Sequence, residues 1–167
     1  MAVVTVKSTQ ITNRDATPRV INNPRVTSGV KQMALDTAVI TSGDSVGSTY
    51  RIAQVPSRAI VTAIRVSSPD IGTTTAADIG LYQTTLNGGA VVDADFFSSA
   101  VSLSGGAINK SDVTFESGVY TLANGAKPLW EALGLSADTG IDYDVTLTLT
   151  GAADATGTAL VEIEYVM

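Results

Sequence analysis

Residues 143–150 read YDVTLTLT, and after the short connection GAADATG residues 158–166 read TALVEIEYV. In the first stretch Val145, Leu147 and Leu149 alternate with Thr146, Thr148 and Thr150. In the second, Ala159, Val161, Ile163 and Tyr165 share one side, and Glu162 and Glu164 share the other. Successive side chains of a strand leave opposite faces, so this strict period of two predicts two strands. Their close spacing predicts a terminal hairpin with an apolar inner face and a wet outer one.

Working back from that hairpin, further short strand-like runs precede it. Residues 32–41 (QMALDTAVIT), 49–55 (TYRIAQV), 59–66 (AIVTAIRV) and 78–84 (DIGLYQT) predict strands, and residues 113–115 and 119–122 predict two more flanking Gly118. In 49–55, Tyr50 and Ile52 fall on one side and Arg51, Ala53 and Val55 on the other. Asn87-Gly88-Gly89 is a turn signal. Residues 93–99 (DADFFSS) predict a short helix, with Asp93 capping its start and Phe96 and Phe97 turned inward. Pro128 before LWEAL, with Gly134 after it, predicts a helical turn. About eight short strands, with one or two short helices, point to an all-β jelly roll or related β-sandwich.

Residues 1–30 read differently. A short β-like start at residues 2–6 gives way to STQITNRDATPRVINNPRVTSG, with Pro18, Pro24 and apolar residues too sparse for a core. Proline removes a backbone donor and pushes the preceding residue toward extended backbone. The chain is therefore expected to divide into a basic, extended N-terminal arm at 1–30, ordered only where it lies against something else, and a sandwich domain at 31–167.

Charge follows the same division. Residues 1–66 carry eight basic residues against Asp15, Asp36 and Asp44, a net of +5, whereas residues 67–167 carry Lys110 and Lys127 against thirteen acids, a net of −11. The arm with its first strand, residues 1–35, has Lys7, Arg14, Arg19, Arg25 and Lys31 against Asp15 alone. Five dispersed bases without an aromatic are a poor match to nucleic acid, which favours denser cations and stacking rings. They suit an acidic protein surface. High salt is then expected to weaken attachment.

Composition narrows the chemistry. The 167 residues include no His and no Cys. That excludes Ser–His–Asp, Cys–His and His/Cys zinc chemistry and leaves carboxylates, Lys or hard cations. Asp138, Asp142 and Asp144 cluster as calcium ligands would, but without the full loop spacing they read as a polar turn. Asp93 and Asp95 could form a glycosidase pair, yet a helix cap accounts for both. Trp130, between Leu129 and Leu133, reads as core. No catalytic, cofactor or metal residue is expected, nor a spanning helix or a signal-peptide-like start. The chain reads as soluble and cytoplasmically made.

Several segments together resemble the capsid cement, or decoration, proteins of short-tailed bacteriophages and prophages: RIAQVPSRAIVTAIRV (51–66), DIGLYQT (78–84), GGAVVDADFFSSAVSLS (88–104), KPLWEALGL (127–135) and DYDVTLTL (142–149). The resemblance spans most of residues 50–166 and implies a jelly-roll-like domain on the outside of an icosahedral shell, bridging neighbouring major capsid proteins. It implies a structural, non-enzymatic virion protein, a homodimer or homotrimer, with no cofactor, membrane or direct nucleic-acid partner. The expected capsid contacts come from the arm's charge and proline content: Arg14, Pro18, Arg19, Pro24, Arg25 and Lys31. Alternatives are a carbohydrate-binding or adhesin-like sandwich with an exposed aromatic platform, a carboxylate hydrolase with a cleft, or a head–tail connector or tail accessory protein.

Overall fold

A computed structural model of the chain describes Val4 and residues 6–167. The chain divides into two compact units, Met1–Val30 and Lys31–Met167. The strand-like start expected at residues 2–6 rests on Ala2, Val3 and Thr5, which lie outside the described residues.

The first unit departs from a continuously extended chain. It holds two short helices, α1 (Thr9–Asp15) and α2 (Pro24–Ser28). Ser8 caps α1 by accepting the Ile11 N–H, and Asn23 caps α2 by accepting the Arg25 N–H at 3.0 Å. Pro24 stands in the first turn, where its missing donor costs nothing. Proline thus starts a helix here, while Asn23 before it keeps extended backbone (φ −60°, ψ 117°). Asn13 and Asn22 tie the unit together: the Asn13 amide donates to Asn22 Oδ1 at 2.9 Å, and the Asn22 amide to the Gln10 carbonyl at 3.1 Å. Neither helix has a buried residue.

The second unit is an eight-stranded sandwich of two antiparallel sheets. Its strands are β1 (Lys31–Ile40), β2 (Thr49–Pro56), β3 (Ile60–Ser68), β4 (Ala76–Gln83), β5 (Val91–Ser102), β6 (Ile108–Asp112), β7 (Asp142–Gly151) and β8 (Gly157–Val166). One sheet runs β1-β8-β3-β6 and the other β2-β7-β4-β5. First pairs with last, second with seventh, third with sixth and fourth with fifth, as in a long hairpin rolled on itself. That is the jelly roll. Helix α3 (Leu129–Ala132) and two 3₁₀ turns, at Thr85–Asn87 and Leu122–Asn124, decorate the connections. No helix among the described residues is long and apolar enough to cross a membrane.

Three sequence expectations change. β7 and β8 are strands, but not a hairpin: β7 pairs with β2 and β4, β8 with β1 and β3, and the GAADATG connection crosses between sheets. Residues 93–99 are strand, not helix. Phe96 and Phe97 are both fully buried because β5 meets β4 through three register shifts, and because the segment after β6 covers its free edge. There the Ser117 N–H donates to the Phe97 carbonyl and the Tyr120 N–H to the Phe96 carbonyl. That covering segment is loop and turn, where residues 113–115 and 119–122 were expected to be strands.

The inner faces meet expectation more closely. Val145, Leu147 and Leu149 from one sheet, and Ala159, Val161 and Ile163 from the other, are all 1% exposed or less. Thr146, expected on the wet face, is fully buried. It lies in register between Arg51 and Gly80, and Arg51 reaches across β7 to the Gln83 carbonyl of β4. β2 breaks alternation at a bulge between Arg51 and Ala53, which puts Ile52 and Val55 together in the core. Beside the core, Phe96, Phe97, Tyr120 and Phe115 form an aromatic cluster with ring centroids 4.9–5.4 Å apart.

Candidate interaction surfaces

The six residues expected to contact a capsid fall in both units, five in the first and Lys31 in the second. Arg14 Nε bonds Asp15 Oδ1 at 2.8 Å, and Lys7 takes Asp15 Oδ2 at 2.8 Å. These two hydrogen bonds hold the Asp15 carboxyl below the usual carboxylate range. Arg19 and Pro24 wall a shallow groove of about 310 Å³ with Ile21, Asn22 and Thr27. Pro18 follows a cis peptide bond after Thr17, and Arg25 sits in the first turn of α2. Lys31 belongs to β1 of the sandwich, where its ammonium pairs with Glu164. Within the first unit Val20 (49%), Ile21 (89%) and Val26 (39%) are exposed alongside these cations.

The outer face of the β1-β8-β3-β6 sheet carries a ladder of charges rather than bare acids. Glu164 on β8 is held by Lys31 of β1 and by Arg65 of β3 at 2.8 Å. Glu162, two residues along, is 8% exposed and takes Lys110 of β6 at 2.9 Å. A carboxylate this covered requires a partner: Lys110 supplies it for Glu162, while Glu164 is flanked from both sides by Lys31 and Arg65. The expectation that Glu162 and Glu164 face water is therefore corrected.

This ladder gives the fold an acid-sensitive element. The hydrogen bond from Arg65, then that from Lys31, lowers the Glu164 pKa from 4.5 to about 2. The folded value is below the unfolded one, so the stabilisation is complete above pH ~5 and is lost as pH falls toward 2. At face value the shift corresponds to ~3 kcal/mol, and solvent screening at the half-exposed Lys31 brings it nearer ~1 kcal/mol. Glu164→Gln is expected to lower stability by about that amount at pH 7 and to narrow the gap to wild type at pH 2–3, read by urea unfolding across pH. An equal gap at both pH values would refute the ladder.

The acidic candidates are engaged in structure. Asp138 accepts from the Ser57 hydroxyl and the Gly140 N–H, Asp142 from the Gln54 amide, and Asp144 from Arg51 at 2.7 Å. Among the described residues no three His, Cys, Asp or Glu side chains gather as metal ligands would. Asp93 and Asp95 stand side by side on β5, where Asp93 Oδ1 accepts the Asp95 N–H at 3.3 Å. They do not oppose each other across a cleft, and Asp93 caps no helix. Burial, reinforced by a hydrogen bond with Asp95, raises the Asp93 pKa. It lines an open pocket of about 340 Å³ with Val92, Leu133, Leu135 and Ile141, which the sequence did not announce.

The exposed side of β1 was also missed. Met33 is 61% exposed, Leu35 48% and Val39 60%, all on one face. Residues 32–41 are apolar on both faces, and that doubled pattern was the available signal. Of the aromatics an adhesin platform would need, Tyr82, Tyr120 and Tyr143 are buried, and Tyr50, Tyr165 and Trp130 half-buried.

Fold and surfaces together define a jelly-roll sandwich accompanied by a separate basic N-terminal unit. No protein-family model and no curated protein matches the chain. Among solved structures, a chain of the cyanophage Pam1 capsid asymmetric unit is similar at 16% identity and TM-score 0.48, over 83% of this chain and 86% of that one. A chain of the acidic stable capsid of Helicobacter pylori bacteriophage KHP30 is similar at 13% identity and TM-score 0.47, over 83% of this chain and 89% of that one.

Proposed function

We propose that this chain is a structural virion protein that binds the outside of an icosahedral phage capsid and cements neighbouring major capsid proteins, through contacts made by its basic N-terminal unit. The observation that carries this is the composition of that unit's surface. Its helices have no buried residue, and Val20, Ile21 and Val26 are exposed among Arg14, Arg19 and Arg25. Apolar side chains interleaved with cations suit a partner surface that is both apolar and acidic. The sequence resemblance of residues 51–149 to cement proteins points the same way.

The sandwich supports a non-catalytic role. Among the described residues every buried side-chain nitrogen and oxygen has a partner, so no unmet hydrogen bond asks for a substrate. Jelly rolls also serve as lectins and cupins, but the first would want exposed rings and the second, as metal sites, histidines. A cement protein binds the assembled shell and not its separated subunits, and so stabilises the shell by mass action. Many copies on one lattice add avidity to a modest single contact.

The test is binding to purified shells. Deleting residues 2–30, or reversing Arg14, Arg19 and Arg25 to Glu in the full chain, is expected to weaken attachment at least ~10-fold, a loss of ~1.4 kcal/mol. Raising salt is expected to weaken the wild type and leave the reversed variant little changed. Undiminished affinity in both variants would sink the proposal.

A further inference from the structure

A jelly roll has four edge strands, and here three are blunted. β2 is bulged between Arg51 and Ala53 and ends on Pro56. β5 shifts register three times, carries Ala100 at φ 52°, and is covered at Phe96 and Phe97 by the Ser117 and Tyr120 amides. β6 has five residues, with Lys110 at φ 51°. Bulges, proline, shortness and cover are the usual defences against unwanted strand addition. β1 has no bulge, no proline and is not short; its one device is Asp36, whose carboxylate accepts the Thr37 N–H at 2.7 Å. The strand runs ten residues in unbroken register with β8, and no strand of the sandwich pairs with its other edge. Its only charges are Lys31 at the end and Asp36, and its outer face offers Met33 and Leu35, 61% and 48% exposed.

We propose that β1 pairs antiparallel with β1 of a second copy of this chain, joining the two β1-β8-β3-β6 sheets across a two-fold axis. The sequence of β1 selects this occupant because it complements itself. In a two-fold pair that keeps both outer faces on one side, opposed residue numbers share parity, so the axis passes at a residue. Centring on Ala34 sets Met33 against the partner's Leu35 twice, Gln32 against the partner's Asp36, and Lys31 against the partner's Thr37. It also puts the small Ala34 against itself. Centring on Asp36 would oppose two carboxylates, and centring on Leu35 would set Met33 against threonine and Lys31 against Val39. Cross-strand apolar and amide–carboxylate pairs favour the Ala34 register. A single strand pair is a small interface, so the dimer is expected to dissociate reversibly and to strengthen where copies are held close.

The inference concerns the chain in solution and stands apart from the shell proposal, so the two fail separately. With no native cysteine, Ala34→Cys is expected to oxidise to a covalent dimer, because directly opposed Cα atoms lie ~4.5–5.5 Å apart. Thr37→Cys, ~20 Å from its counterpart in this register, is expected to stay monomeric under the same oxidation. In sedimentation equilibrium the full chain is expected to form dimers, and Met33→Lys with Leu35→Lys to weaken them at least tenfold with its thermal midpoint unchanged. A wild type that remains monomeric at several hundred micromolar overturns the proposal. So does a trimer, a lysine variant that still dimerises, or equal cross-linking of the two cysteine variants. Protection of β1 amides from exchange only on adding shell protein would reassign the edge to a foreign strand.

Discussion

Replacing Gly80 with alanine is expected to destabilise the sandwich by at least ~3 kcal/mol, which for a chain of this size lowers the thermal midpoint by ~6–12 °C. Gly80 sits in β4 opposite the irregular part of β5. A Cβ there would lie 2.1 Å from the Asp93 carbonyl oxygen and 2.3 Å from the Ala94 carbonyl carbon. Both are backbone atoms of a strand held on its other side by the covering segment, so neither can turn away as a flexible side chain would. Glycine inside a strand marks such close approach. A useful contrast is Gly105→Ala: its Cβ meets nothing within 4 Å, but φ is +79°, and the expected cost is only ~1–2 kcal/mol. Calorimetry on the pair checks this. Gly80→Ala as stable as Gly105→Ala would mean that β4 and β5 do not approach so closely.

Phe97→Ala is expected to cost ~3–5 kcal/mol in denaturant unfolding, as large-to-small changes in a sealed core do. Phe97 is fully buried, meets Phe96 edge-on at 4.9 Å and lies 5.2 Å from Tyr120. Tyr120 in turn donates to the Val61 carbonyl at 2.9 Å, so the cluster links β5 to β3 in the opposite sheet. Removing one ring leaves a void that this hydrogen-bonded neighbour cannot readily fill. Phe115→Ala, which removes a ring 37% exposed and stacked on Tyr120, is expected to cost ~1 kcal/mol by lost stacking and partial burial. Equal costs at Phe97 and Phe115 would show that the cluster is not sealed.

Much of the fold was legible because its signals are local. Short β-prone runs located β1, β2, β3, β4, β7 and β8 to within a few residues, and Asn87-Gly88-Gly89 marked the β4–β5 turn. The failures share a cause. Asp93 before Ala94, Asp95 and two phenylalanines looks like a capped helix, and adjacent phenylalanines cannot both face one side of a regular strand. β5 buries both because its register against β4 shifts three times and because a segment some twenty residues later closes over its edge. Thr146 and Thr148 follow the same pattern, yet only Thr146 is buried, in register between Arg51 of β2 and Gly80 of β4. The interaction surfaces were legible as charge but not as geometry. The excess of cations in the first half was visible, whereas the pairing of Lys31 with Glu164 and of Arg14 with Asp15 was not.

By itself the sequence determined the strand inventory, the all-β class, the basic N-terminal stretch and the absence of histidine and cysteine chemistry. These follow from side-chain type and from periods of a few residues, which act within a segment whatever surrounds it. Only the tertiary structure decided which strands pair. YDVTLTLT and TALVEIEYV carry the same alternation whether they form a hairpin or, as here, face each other from opposite sheets. Pairing depends on hydrogen bonds to β1, β2, β3 and β4, far away in sequence, and no local pattern encodes those partners. The same long-range pairing turned Glu162 and Glu164 from solvated charges into the centre of a ladder, and left β1 as the one edge strand in unbroken register.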